Sequence, residues 1–241
     1  MTVLVTGAAG GIGSAVVDVL RAAGTPVLAH DLRMPPDARS DVGVDWVAGD
    51  LLDLRHRDDL ARRLRGVGLS ALIVAHGTPG NAPLARLERR YVQHVLSVNF
   101  LSVPQLVDLA LPALARGRGV AVVIASEAGV QGEPNSVAYC AGKFALVGWC
   151  RAAAGRLERQ GVRIRAFCPG PTDTALFRAA AADLARIEGI DAEAYTRRRA
   201  SRIPVGRIAD PGDMAQTAVW LAMLRTRAPL VATVTGGEVM R

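Results

Sequence analysis

The chain has 241 residues, is 50% hydrophobic but only 4% aromatic, and carries 29 Lys and Arg against 22 Asp and Glu, a formal charge of +7. That length suits one domain spanning 1–241 with a core of Val, Leu, Ile and Ala, because a single α/β core extends to roughly 250 residues. The basic clusters Arg62-Arg63-Leu64-Arg65 and Arg197-Arg198-Arg199 lack stacking aromatics and read as solvated helix faces, so no nucleic-acid partner is expected.

Three Cys, at 140, 150 and 168, and four His, at 30, 56, 76 and 94, fall in no metal-ligand spacing. No metal is expected, and the thiols suit a reducing compartment. The N-terminus enters Thr2-Val3-Leu4-Val5 without a basic, apolar leader, and no apolar run reaches about 20 residues. The expectation is a cytoplasmic protein with no membrane partner.

In chain order, branched apolar runs predict strands at 2–6, 26–30, 44–48, 70–75, 119–125, 162–168 and 230–234. Helical patterns lie between them at 12–23, 55–65, 84–94, 97–115, 138–160 and 211–224. Apolar strands alternating with helices predict an α/β class: a doubly wound, mostly parallel seven-stranded Rossmann-type sheet with helices on both faces. One stretch, 172–204, breaks the alternation with weak helical periodicity and no strand. An excursion of this length suggests an active-site lid, or else a pair of short surface helices.

The first strand runs into Thr6-Gly7-Ala8-Ala9-Gly10-Gly11-Ile12-Gly13, just before the first helix. Gly7, Gly11 and Gly13 permit a tight turn and close backbone approach, and the helix N-terminus, with Ile12, offers free N–H groups to a pyrophosphate. Asp31, followed by Leu32, ends the second strand where a carboxylate accepts from ribose hydroxyls and repels a 2′-phosphate, which favours NAD over NADP. Arg33 is the counterweight. Asp50 and Leu51 close the third strand, where Asp50 either accepts from an adenine amino group or serves only as a turn aspartate.

The single Lys of the chain, Lys143, lies four residues after Tyr139. On a helix the two share a face, so an ammonium beside the phenol is expected to lower its pKa towards the neutral range and make it an acid and base. Ser126 follows the fifth strand, where its hydroxyl can donate to an oxygen gaining negative charge. Asn99 sits inside a helical pattern that an Asn disfavours, so it asks for a reason.

These features, with Pro169-Gly170-Pro171-Thr172-Asp173-Thr174 and the late segment at 203–215, resemble the classical short-chain dehydrogenase/reductase family over essentially the whole chain. The resemblance implies a tetrad of Asn99, Ser126, Tyr139 and Lys143, with Tyr139 exchanging the substrate proton and Lys143 also bonding the nicotinamide ribose. Asn99 would hold a water against Lys143 in a proton relay. Pro169 and Gly170 would lie beside the nicotinamide, while Thr172 and Thr174 would contact its carboxamide and the pyrophosphate. Relatives usually assemble as tetramers, so a homo-oligomer is expected, with a tetramer favoured over a dimer.

Two departures stand out. Val74-Ala75-His76-Gly77 replaces the family's Asn-Asn-Ala-Gly, which assigns Ala75, His76 and Gly77 to a structural or cofactor-wall role rather than a second acid/base. Val234-Thr235-Gly236-Gly237 lacks the usual Asp, and the stretch from Leu224 to Pro229 is short; both bear on subunit packing.

The expected function is an NAD(H)-dependent interconversion of a secondary alcohol and a ketone on a small substrate, in the direction of oxidation. A 3-oxoacyl thioester reductase is one alternative, and a non-catalytic NAD-binding sensor or scaffold another. Glu127 and Glu133 are expected at the surface; if either points inward, along with Asn135 or His94, a polyol, amino or hydroxylated ring substrate fits. Phe177, Leu184, Ile187 and Tyr195 would instead give an apolar lid suited to a cyclic or secondary-metabolite alcohol.

Overall fold

Parallel strands need crossovers that leave and re-enter the sheet from opposite ends, and most of the connections here are helical. The computed structural model describes residues 2–36, 38, 42–224 and 229–239. Its strands are β1 (Thr2–Thr6), β2 (Val27–Asp31), β3 (Val44–Ala48), β4 (Leu69–Val74), β5 (Val120–Ile124), β6 (Arg163–Pro169) and β7 (Val231–Val234). They form one sheet in the order β3-β2-β1-β4-β5-β6-β7, and every pairing is parallel. All seven predicted strands are present, each within a residue or so of its expected bounds.

The helices are α1 (Gly11–Ala22), α2 (Leu54–Arg63), α3 (Arg89–Leu96), α4 (Ser102–Gly117), α5 (Val137–Glu158), α6 (Ala175–Glu188), α7 (Ala192–Ser201) and α8 (Pro211–Met223). One face of the sheet packs Leu4, Leu72 and Val123 against Leu106 and Leu114 of α4 and Leu146 of α5. The other packs Val5, Ile73 and Phe167 against Val16 and Leu20 of α1 and Leu221 of α8. Alternating residues of one strand therefore serve two cores, which is why β1 and β4 read as continuous apolar runs.

Two corrections concern the middle of the chain. The helices expected at 84–94 and 97–115 are a 3-10 turn at Leu84–Arg86 followed by one helical run, Arg89–Gly117, in which α3 and α4 join through a π turn at Ser97–Leu101. The sequence pattern is broken by the π turn, which shifts the helical register and so hides the continuity. That 29-residue run is long and apolar enough to cross a membrane by length and composition alone, although Gln93, His94, Asn99, Gln105 and Asp108 interrupt its apolar residues. Its apolar side chains Val103, Leu106, Val107, Ala110 and Leu114 are buried against the sheet.

The strand order reverses between β1 and β4, and both strands end at the same edge of the sheet. An open α/β sheet places its ligand crevice at that switch point. The excursion after β6 folds as α6 and α7, two helices joined by a turn at Gly189 with φ 71°. Thr174 and Asp191 supply their N-caps, accepting from the N–H groups of Phe177 at 3.1 Å and Ala194 at 2.7 Å.

Candidate active site

A cavity of about 650 Å³ opens along the carboxyl edge of the sheet, from Asp31 and Asp50 at one end to Glu127, Tyr195 and Arg199 at the other. Among the candidates, Gly7, Gly11, Ile12, Asp31, Leu32, Asp50, Leu51, Ala75, His76 and Gly77 line it, with Ser126, Tyr139, Lys143, Pro169, Gly170, Thr172 and Thr174. Gly13 and Asn99 stand behind the wall.

The first half is built from backbone. Gly7 has φ 67°, and a Cβ there would lie 2.6 Å from the His76 nitrogen. A Cβ on Gly13 would lie 1.9 Å from the Gly7 oxygen, and one on Gly11 would lie 2.3 Å from Cγ2 of Thr174. The glycines therefore draw the start of α1, the tip of β4 and the start of α6 into one concave surface. Gly10 caps α1 without a side-chain hydrogen bond, so the helix N-terminus faces the cavity with N–H groups to offer. This geometry fits a dinucleotide pyrophosphate.

Asp31 presents its carboxylate at the end of β2, accepting from Ala9 N–H at 2.9 Å and Leu32 N–H at 2.7 Å. Arg33 is exposed and is absent from the cavity wall. Asp50 accepts from Leu52 N–H at 2.8 Å, the turn-aspartate arrangement, while still lining the cavity.

His76 is held by two hydrogen bonds. Ser102 donates to the Val98 carbonyl at 2.8 Å, so its oxygen accepts from His76 Nε2 at 2.9 Å, and Nδ1 accepts from Thr6 Oγ1 at 2.8 Å. Burial, then the Lys143 charge, push His76 down to about 3, which keeps the imidazole neutral and unsuited to acid/base exchange. Beneath the adenosine end, His30 bonds His56 through their Nε2 atoms at 2.8 Å, and burial followed by the charge of His56 lowers His30 to about 4.

The second half carries the reactive groups. Tyr139 and Lys143 share the first turns of α5, with Lys143 Nζ 5.5 Å from the Tyr139 ring centre. The Lys143 ammonium donates to the Ile124 carbonyl at 3.0 Å, and burial lowers it to about 8. Ser126 is extended, with its Oγ accepting from Ala128 N–H at 3.1 Å, so its proton is left to donate.

The expected lowering of the phenol is not found. Burial pushes Tyr139 up to about 12, only partly offset by the hydrogen bond with Ser126. At this separation the ammonium, itself desolvated and directed at a carbonyl, does not overcome the loss of water around the phenolate.

Asn99 lies in the π turn, and its side chain clasps the backbone of Thr78: Oδ1 accepts from the N–H at 3.0 Å and Nδ2 donates to the carbonyl at 2.9 Å. A Cβ on Gly77 would lie 2.9 Å from that Oδ1 and 3.8 Å from Lys143 Nζ. Asn99 therefore fixes the segment after β4 beside the lysine, which answers why a helix tolerates it. Thr172 donates to the Gly170 carbonyl at 3.0 Å, and Gly170 follows β6 at the cavity wall.

The substrate end overturns two expectations. Glu127 is buried, not exposed, and Arg199 is buried while its neighbours Arg197 and Arg198 are exposed. Arg199 bonds Glu127 at 2.5 Å and Glu238 at 2.6 and 2.7 Å, and stands 3.6 Å from Glu133. Burial pushes the Glu127 carboxyl up to about 8 against the pull of Arg199. Three successive residues on a helix point about 100° apart, so they cannot all face solvent alike; that signal was available in the sequence. Glu133, His94, Phe177, Leu184 and Tyr195 line the cavity, whereas Asn135 and Ile187 do not.

Comparison with known proteins agrees with this geometry. Residues 1–185 match the family model described as short chain dehydrogenase. An uncharacterized short-chain type dehydrogenase/reductase, y4vI, of Sinorhizobium fredii is 31% identical over 91% of this chain, which spans 40% of that longer protein. Galactitol 2-dehydrogenase of Agrobacterium fabrum is 29% identical over 91% of this chain and 89% of its own length. The crystal structure of an actinorhodin polyketide ketoreductase with NADPH superposes with a TM-score of 0.90 at 27% identity, covering 98% of this chain and 96% of that one. A glycine-cradled crevice at the switch point of a parallel sheet, with serine, tyrosine and lysine gathered on its far wall, thus has its counterpart in sequence: the chain belongs to the short-chain dehydrogenase/reductase family of dinucleotide-linked oxidoreductases.

Proposed function

We propose that the protein interconverts a secondary alcohol and a ketone with NAD(H), acting on a small cyclic or hydroxylated substrate. The observation that carries this reading is the convergence of Ser126, Tyr139 and Lys143 on one cavity whose opposite half is a glycine cradle ending in a carboxylate. When bound, the dinucleotide supplies the hydride acceptor or donor.

In this reading Ser126 turns its proton from Tyr139 to the substrate oxygen and holds that oxygen near Tyr139. Tyr139 exchanges the hydroxyl proton. A buried phenol is a weak acid, so the proton it accepts is held firmly, and Lys143, 5.5 Å from the ring centre, is the positive charge that stands beside it. Asn99 positions the loop at Thr78 against that lysine.

Asp31 supports NAD, since its carboxylate occupies the end of β2 and repels a 2′-phosphate, while Arg33 is exposed and does not line the cavity. Helices α6 and α7 act as a lid over the substrate end. The mixture of Phe177, Leu184 and Tyr195 with Glu127 and Glu133 there suits a ring or chain bearing further hydroxyls, in line with the polyol named for one relative. Oxidation is the direction that an NAD preference favours, and assembly as a homotetramer follows the habit of the family.

The test is a dehydrogenation screen over cyclic alcohols, polyols and hydroxyacyl compounds with NAD and with NADP, reading the reduced dinucleotide. Turnover of a polyol or cyclic alcohol with NAD is the expected result. Turnover confined to reduction of 3-oxoacyl compounds with NADPH would overturn both the substrate class and the cofactor preference.

A further inference from the structure

Arg199 is the one buried cation of α7, and the three carboxylates around it come from three separate parts of the chain. Glu127 is the residue after Ser126, Glu133 lies on the segment leading to Tyr139, and Glu238 follows β7. No two of these carboxylates share an element, so a single guanidinium ties the second lid helix to the turn carrying the proton donor and to the segment after the last strand. The planar fork of Arg suits this arrangement, with one nitrogen on Glu238 and another on Glu127. Within α7 half the residues are exposed and Arg199 is the only buried one, while Arg198 pairs with Glu188 to join α7 to α6, whose Ala181 and Ala185 are buried.

We propose that Arg199 is a positioning residue: it latches the lid helix α7 onto Glu127, and by doing so sets the Ser126 turn and shuts the substrate end of the cavity. The proposal rests on the alcohol-oxidising reading above for its kinetic consequences, though not for its structural ones. Releasing the guanidinium takes from Glu127, Glu133 and Glu238 the one partner they share, so each carboxyl must take up a proton or turn to water, and the lid is pushed open rather than merely loosened. Replacing Glu127, the most buried of the three, by its amide as well removes the largest part of that penalty. A latch therefore predicts partial rescue where simple loss of packing predicts a further loss.

The experiment compares Arg199→Gln, Arg199→Lys, Glu127→Gln, Glu238→Gln and the double variant Glu127→Gln/Arg199→Gln. Two readouts are taken: KM and kcat for an alcohol found in the screen, and chymotrypsin cleavage between residues 175 and 202 in the protein without dinucleotide. Arg199→Gln is expected to raise KM roughly 10-fold with a smaller fall in kcat, and to speed cleavage by a similar factor. Arg199→Lys should lie between it and the unaltered protein, and the double variant should recover part of both losses. Glu238→Gln, which lies outside the cavity wall, should speed cleavage and raise KM while kcat holds, and it keeps the test open if Arg199→Gln does not fold. KM and cleavage within two-fold of the unaltered protein in both Arg199→Gln and Glu238→Gln, or a double variant worse than Arg199→Gln, would overturn the latch. If no alcohol is oxidised with either dinucleotide, the functional reading fails, and the cleavage rates alone still decide the latch.

Discussion

The two ends of the cavity are made differently. The dinucleotide end is backbone: glycines whose missing Cβ atoms let three elements meet, a bare helix N-terminus, and one carboxylate held by two N–H groups. The opposite end is side chain: an arginine of α7 holding carboxylates from residues 72 and 39 positions away in sequence. The first kind of site leaves no room for an added atom, while the second depends on which charged side chains face one another. This contrast explains how one scaffold keeps a constant cofactor while its substrate changes.

The sharpest way to break the comparison is at the cradle. Gly13→Ala places a methyl group against the Gly7 carbonyl, and overpacking of 1–3 kcal/mol should cost roughly 10- to 100-fold in dinucleotide affinity. Fluorescence titration with the reduced dinucleotide checks it; unchanged affinity would mean that the turn relaxes freely. Asp31→Ala should next shift the NADP-to-NAD affinity ratio upward by about 10-fold, because a like charge facing the 2′-phosphate is removed. The same titration with both dinucleotides measures it, and an unaltered ratio would deny Asp31 its selective role.

A smaller effect concerns pH and stability. His76 and His30 have folded-state values near 3 and 4, below the 6.5 of an unfolded imidazole. Their contribution is complete above pH 6.5 and is lost as pH falls to about 4 for His30 and to about 3 for His76, because unfolding takes up protons that the folded state refuses. The melting temperature should drop on the order of 10 °C across that window, and His76→Gln should flatten the drop. Thermal melts of both proteins across this pH range test the pair, and parallel curves would place the acid lability elsewhere.

What was legible in the sequence follows the same division. The strands, the cradle and the Ser126, Tyr139 and Lys143 group are local patterns: a glycine spacing, a helical interval of four, a hydroxyl after a strand. His76 lies on the cavity wall beside Gly77, whose lack of a side chain keeps the backbone close. Arg199 and Glu127 are expected at the surface but bury each other: helical geometry signals that Arg197, Arg198 and Arg199 cannot all face alike, yet neither segment alone shows the partner 72 positions away. The continuity of α3 and α4 was hidden by the π turn at Asn99, whose bond to Thr78 is likewise long-range. The phenol's raised pKa was missed because spacing gives proximity to Lys143 but says nothing of desolvation, which dominates here.

Phenol chemistry at Tyr139 is the centre of the account, and Tyr139→Phe tests it most directly because it removes one oxygen and little packing. With an alcohol and NAD at saturation, loss of a positioned acid and base should lower kcat by roughly 100- to 10,000-fold, with dinucleotide affinity preserved. A kcat within a few-fold of the unaltered enzyme would contradict the assignment.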